Sequence, residues 1–153
     1  MTSRILLFEE PERFTVGTVG QPGERTFFIQ ARDRTRLISV SLEKAQVQAL
    51  SERLQYMVRE IKQSDPTVVV TKMQRDDTPL DTPIEEEFRV GVIGLAFDAD
   101  RQLIQVDLRL YRRTKEKILN SLMWMTSRET KTFFAFSSHH LKLNALANAL
   151  PQL

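Results

Sequence analysis

Alternating apolar and polar positions divide the first forty residues into strands. Ile5 to Phe8 is a short apolar run closed off by Pro11. Phe14, Val16 and Thr18 alternate with Thr15, Gly17 and Val19, the period-two pattern of a strand. Gly20 to Glu24 reads GQPGE. Pro22 fixes one backbone torsion and Gly23 tolerates positive φ, so a tight turn is expected. Arg25 to Ala31 then predicts the returning strand, Arg32 to Arg36 a charged turn, and Leu37 to Val40 a further strand.

At Ser41 the period changes. Val47, Leu50, Leu54, Met57, Val58 and Ile61 stand three and four residues apart, one stripe of a helix over about 42–62. Ser41 is its predicted N-cap, and Asp65-Pro66 stops it. Thr67 to Thr71 reads as a brief strand. Residues 72–87, KMQRDDTPLDTPIEEE, hold two prolines and six acids and read as an exposed linker. Phe88 to Phe97 and Gln102 to Tyr111 predict a hairpin about a turn at 98–101, and Leu122 to Met125 a short strand. Thr126 to Glu129, TSRE, matches a capping box. It precedes a predicted second helix over about 127–149, with Phe133, Phe136, His140, Leu143, Leu146 and Leu150 on its face.

FTVG at 14–17 recurs as FRVG at 88–91, and LISVS at 37–41 corresponds to LMWMT at 122–126. The expected fold class is therefore α+β. It is a two-layer domain from a pseudo-duplicated β-β-β-α unit, with a mostly antiparallel sheet and two amphipathic helices. The expected organisation is a single domain over 1–153. Its first half spans about 5–66, an acidic Pro-containing linker 72–87, and the second half 88–150.

Composition narrows the chemistry. With no cysteine, disulfides, thiolate nucleophiles and thiolate zinc sites are excluded. The apolar fraction of 41% and the charged fraction of 27% are ordinary for a folded domain. No apolar run approaches the roughly 18 residues of a membrane helix, so a soluble, cytoplasmic protein without membrane attachment is expected. The net charge of +2 is unevenly spread. Residues 1–100 carry 13 Lys and Arg against 17 Asp and Glu, and residues 101–153 carry 9 against 3.

Several groups are candidates for function. Backbone amides of the GQPGER turn, with Gly20 and Gly23, can form an anion nest beside Arg25, a bidentate phosphate donor. The alternative is a plain hairpin turn. Asp81, Glu85, Glu86 and Glu87 offer carboxylates for acid-base work or Mg²⁺, although an acidic run before a strand is more often solvated or ion-paired. His139 and His140 are the only histidines and lack the neighbours a zinc site needs. Arg109, Arg112, Arg113, Lys115 and Lys117 beside Tyr111 weakly resemble a nucleic-acid footprint, which the acidic run argues against. Trp124, Phe133, Phe134 and Phe136 read as core, with one exposed phenylalanine hinting at a homo-oligomer. No metal site and no cofactor is expected.

The runs FTVGTVGQPGERTFFIQARD, ISVSLEKAQVQALSERL and PLDTPIEEEFRVG resemble one family. It is the uncharacterised actinobacterial family called domain of unknown function 3090, and the likeness covers about residues 5–110. The resemblance implies no established activity. Family members typically end in a cysteine-rich segment resembling a zinc ribbon, whereas this chain ends ANALPQL without cysteine. A divergent or shortened relative, without whatever the zinc-bearing tail does, is one reading the resemblance leaves open. The family also resembles a gene neighbour of phosphomutase-like and kinase-like proteins, which raises phosphate chemistry without assigning a residue. Two readings follow. One is a non-catalytic accessory domain that binds a small phosphorylated ligand or a protein partner. The alternative is an enzyme acting on a phosphorylated small molecule, with the phosphate held at the GQPGER turn.

Overall fold

The computed structural model describes residues 5–9, 11–68, 76, 78–111 and 131–137. Strands β1 (Ile5–Glu9), β2 (Arg13–Val19), β3 (Thr26–Asp33) and β4 (Arg36–Leu42) come first. Helix α1 (Lys44–Ser64) follows, and then β5 (Glu86–Asp98), β6 (Leu103–Leu110) and β7 (Lys131–Ser137). The strands form one seven-stranded sheet in the order β1-β7-β6-β5-β4-β3-β2. Two antiparallel meanders, β2-β3-β4 and β5-β6-β7, meet through the parallel pair β4 and β5. Strand β1 adds in parallel to β7.

The period-two pattern sorts the first meander into two faces. Phe14 and Val16, Phe27, Ile29 and Ala31, and Ile38, Val40 and Leu42 lie on one face in matched cross-strand positions. Val47, Leu50, Leu54 and Ile61 of α1 pack onto that face in a single core with Phe88 and Val90 of β5. Each fully buried aliphatic of this kind contributes about 1.5–3 kcal/mol. The opposite face carries Arg13, Thr15, Gln30, Ser39 and Ser41, all of them buried polar residues. No described helix is long and apolar enough to cross a membrane.

The α+β class and the mostly antiparallel sheet hold, but the fold expected from the sequence needs correction. Among the described residues there is one helix, not two. The second helix was expected over 127–149, and Lys131–Ser137 within it is the strand β7. A repeated β-β-β-α unit is therefore not what the chain builds. The reason is local and tertiary. KTFFAFS is rich in Thr and Phe, residues that suit a pleated surface, and Phe134 and Phe136 fit period two as well as Phe133 and Phe136 fit a helix. Both neighbouring strands, β1 and β6, pair with it along five to seven positions. The short strand expected at 122–125 and the capping box at 126–129 lie outside the described residues.

The helix start also differs. Ser41 belongs to β4, opposite Phe28, and the N-cap is Glu43. The Glu43 N–H donates to Gln46 Oε1 at 2.8 Å, and the Glu43 carboxylate accepts the Gln46 N–H in return. This is a capping box with Glu in place of the usual Ser or Thr at the N-cap.

Candidate functional site

The first meander ends in a cleft of about 690 Å³. The β2–β3 turn supplies Pro22, Gly23 and Arg25, and the start of β3 supplies Thr26 and Phe27. Ser41 and Leu42 close β4, Glu43 and Lys44 begin α1, and Glu86 and Arg89 come from the start of β5. Turn geometry puts Gly23 and Arg25 there. Gly20 and Gly23 both have positive φ, 109° and 94°, and the Glu24 N–H donates to the Gln21 carbonyl at 2.9 Å. A Cβ on Gly20 would meet the Glu24 carbonyl oxygen at 2.6 Å, so only glycine closes this turn without strain.

Three cations, Arg25, Lys44 and Arg89, face two carboxylates, Glu43 and Glu86, around the cleft. Arg89 pairs with Glu43, each with a side chain 58% exposed. Ser41 Oγ–H donates to Glu86 Oε1 at 2.8 Å. Gln46 Nε2–H donates to the Val90 carbonyl at 3.2 Å, tying the helix start to β5. Phe27 and Leu42 give the cleft an apolar floor, since both are buried. The start of α1 favours anions through its dipole, but the capping box already occupies part of its donor set. Donors for a ligand here come chiefly from side chains.

Much of the described acidic segment is exposed, as its composition predicts, but Asp76, Leu80 and Asp81 are half-buried. Its described residues lie across the sheet face opposite α1 as a strap. Arg13, 7% exposed, holds it. Arg13 Nε–H donates to Asp76 Oδ2 at 2.9 Å, and Nη2 donates to the Thr78 and Pro79 carbonyls at 2.9 and 3.0 Å. Arg13 Nη1 also lies 3.2 Å from Asp81 Oδ1. Gln30, 1% exposed, grips the backbone of Asp81 at both ends. Its Nε2–H donates to the Asp81 carbonyl at 2.8 Å, and its Oε1 accepts the Asp81 N–H at 2.7 Å. Leu80 fills the notch above Gly17, where a Cβ would lie 2.6 Å from Leu80 Cγ.

Burial alone would push the Asp76 carboxyl up. The Arg13 guanidinium and the Thr78 hydroxyl and amide outweigh it and hold the group at about 2. Arg13 itself is held above its usual value, because its hydrogen bonds and charge pairing with Asp76 and Asp81 outweigh desolvation. A buried guanidinium is tolerated here because each of its faces meets an acceptor.

Of the seven candidate turn and acidic residues, the cleft brings Gly23, Arg25 and Glu86 together. Gly20 shapes the turn from behind. Asp81 is committed to Gln30, Arg13 and Arg32. Glu85 and Glu87 flank Glu86, and only Glu86 of that run lines the cleft. Within the acidic segment, ion pairs form at Asp76 and Asp81, with Arg13 and Arg32 as partners. Sequence reasoning missed Arg13, Gln30, Lys44 and Arg89. The available signal was Gln30 opposite Ser39, two polar residues inside strongly apolar strands, which implies a covered second face.

Arg109 of the basic cluster bonds Asp107 Oδ2 through Nε at 2.9 Å and Nη2 at 2.7 Å, and Tyr111 is 54% exposed. Arg112, Arg113, Lys115, Lys117, Trp124, His139 and His140 lie outside the described residues. The backbone of Phe133, Phe134 and Phe136 belongs to β7. Among the described residues no group of three His, Asp or Glu is placed to hold a metal ion.

Residues 6–150 match a family model described as protein of unknown function, DUF3090. The match extends past residue 110, where the recognisable motifs end, and takes in β7. No curated protein and no solved structure matches the chain.

Proposed function

The chain belongs to the DUF3090 family, and we propose that it is a non-catalytic accessory domain that binds a small phosphate-bearing molecule in the cleft at the end of the first meander. The observation that carries this reading is the convergence of Arg25, Lys44 and Arg89 on one concave surface with the Ser41 hydroxyl. They come from three separate stretches of chain, the β2–β3 turn, the continuous run from the end of β4 into α1, and the start of β5. Guanidinium forks match the geometry of phosphate oxygens, and the excess of cations over carboxylates favours an anion. The Pro22–Gly23 turn adds backbone close to the same place, and Phe27 and Leu42 offer an apolar surface for the rest of a ligand.

The second reading is an enzyme acting on the same class of molecule. What favours it is that Glu86 and Arg25 line one cleft, with Glu86 already accepting a hydroxyl hydrogen bond from Ser41. Glu86 would then serve as acid or base toward a ligand hydroxyl, and Arg25 would hold the phosphate.

Calorimetric titration with pyrophosphate, nucleotides and sugar phosphates tests the binding reading. Saturable binding that weakens by about tenfold or more in Arg25→Gln, and weakens as salt is raised, is the expected result. Binding unchanged in Arg25→Gln would place the ligand elsewhere. Phosphorus NMR of the same mixtures separates the two readings. An unaltered ligand after prolonged incubation fits a binding domain, and a new phosphorus resonance that Glu86→Gln abolishes fits an enzyme.

A further inference from the structure

Arg13 lies away from the cleft and none of its atoms lines it, yet it is the most heavily bonded buried charge among the described residues. Its guanidinium meets Asp76, the carbonyls of Thr78 and Pro79, the Thr78 hydroxyl and Asp81. All of these partners belong to the strap. The strap is then gripped by Gln30 at Asp81 and seated by Leu80 over Gly17. Five residues after Asp81 the same backbone becomes β5 and delivers Glu86, which bonds Ser41, and then Arg89, which pairs with Glu43.

We propose that Arg13 is a positioning residue of the cleft: by pinning the strap to the sheet face it fixes where β5 begins, and so sets Glu86 and Arg89 against Ser41 and the start of α1. The inference rests on the anion-binding reading of the cleft and adds to it the device that keeps the cleft assembled. The physical ground is a contiguous chain of contacts. The pairing of β4 with the start of β5 is short, at Ser39–Glu86, Val40–Phe88 and Ser41–Arg89, with a register shift after the first. Three ladder positions with an irregularity hold a strand start loosely. The strap supplies what the ladder lacks, through a buried guanidinium that no neutral side chain replaces. Arg32 offers an internal comparison. It also reaches Asp81, at 3.4 Å, but its side chain is 42% exposed and it touches neither Asp76 nor the strap carbonyls at 78 and 79.

The test combines pyrophosphate titration with amide hydrogen exchange on the full chain, in Arg13→Gln, Arg13→Lys and Arg32→Gln. In Arg13→Gln the amides of Thr78, Leu80, Asp81 and 86–89 exchange faster, those of Val47 to Ile61 in α1 keep their protection, and pyrophosphate binds about tenfold more weakly. Arg13→Lys recovers part of the affinity, and Arg32→Gln binds within about twofold of the native chain. Faster exchange in the strap with unchanged affinity and unchanged exchange at 86–89 would overturn the proposal, as would exchange unaltered at 78–81. If Arg13→Gln loses the protection of α1, Asp76→Asn replaces it, with the same two readouts and the same contrary results. If the native chain binds no pyrophosphate, the anion reading fails on its own. Exchange at 86–89 then decides the positioning role: faster exchange in Arg13→Gln upholds it and unchanged exchange refutes it.

Discussion

At the scale of single residues, the second face of the first meander is decided by a few polar side chains that bond the strap, although Arg32 Nε and Asp81 Oδ2 lack a hydrogen-bond partner. Arg13 and Asp76 are the sharpest case. The Asp76 carboxyl sits at about 2 in the folded chain against an ordinary 3.8. A folded value below the unfolded one means that acid protonates the unfolded chain first. The stability it contributes is therefore complete above about pH 4 and is lost as pH falls toward 2. A shift of this size corresponds to about 2 kcal/mol. Urea unfolding measured at several pH values between about 5 and 2 should show the native chain losing that amount more than Asp76→Asn does, and parallel pH profiles would contradict the assignment. Gly17 gives a steric counterpart. Gly17→Val drives a side chain into Leu80, and a loss of about 1–3 kcal/mol is expected. Adding Leu80→Ala should recover part of that loss, so that the double-mutant cycle shows coupling. Strict additivity in thermal or urea unfolding would mean that the two sites do not meet.

At the scale of elements, α1 and the strands through β6 were largely legible, and the strap and β7 were not. The stripe Val47, Leu50, Leu54 and Ile61 named the helix and its buried face together, because a period near 3.6 leaves little choice. Leu54 is almost fully buried in that core, so Leu54→Ala should cost about 2–5 kcal/mol in urea unfolding, whereas Arg53→Ala on the wet side should change little. Lys131–Ser137 misled because short apolar runs satisfy both periods, and a nearby capping-box pattern tipped the reading toward a helix. What decides it is the pair of strands waiting on either side, and that information is not local. The acidic segment was legible only in part, for a related reason. Six acids and two prolines look solvated, and only the placement of Arg13 and Gln30 on one sheet face makes them partners. For the candidate site, the turn residues Gly23 and Arg25 were readable from composition alone. Lys44 and Arg89 join them only through the parallel pairing of β4 and β5, which no sequence spacing announces.

At the scale of the whole molecule, two meanders share one sheet, and the cleft at their junction gathers three cations and two carboxylates. The first meander carries α1 on one face and the strap on the other. The junction strand β5 runs on for 13 residues, pairing first with β4 and then with β6. The cleft opens where β4 gives way to α1 and β5 begins, so three segments distant in sequence converge on one volume of about 690 Å³. That convergence is the ground for the binding reading, and it makes a spatial prediction stronger than affinity alone. The most direct check is to follow backbone amide resonances of the isotope-labelled protein during a pyrophosphate titration. The account predicts saturable shifts concentrated at Gly23, Arg25, Thr26, Ser41, Lys44 and Arg89, with α1 beyond its first turn unmoved. Shifts absent throughout, or gathered instead around Arg109 and Tyr111, would contradict it.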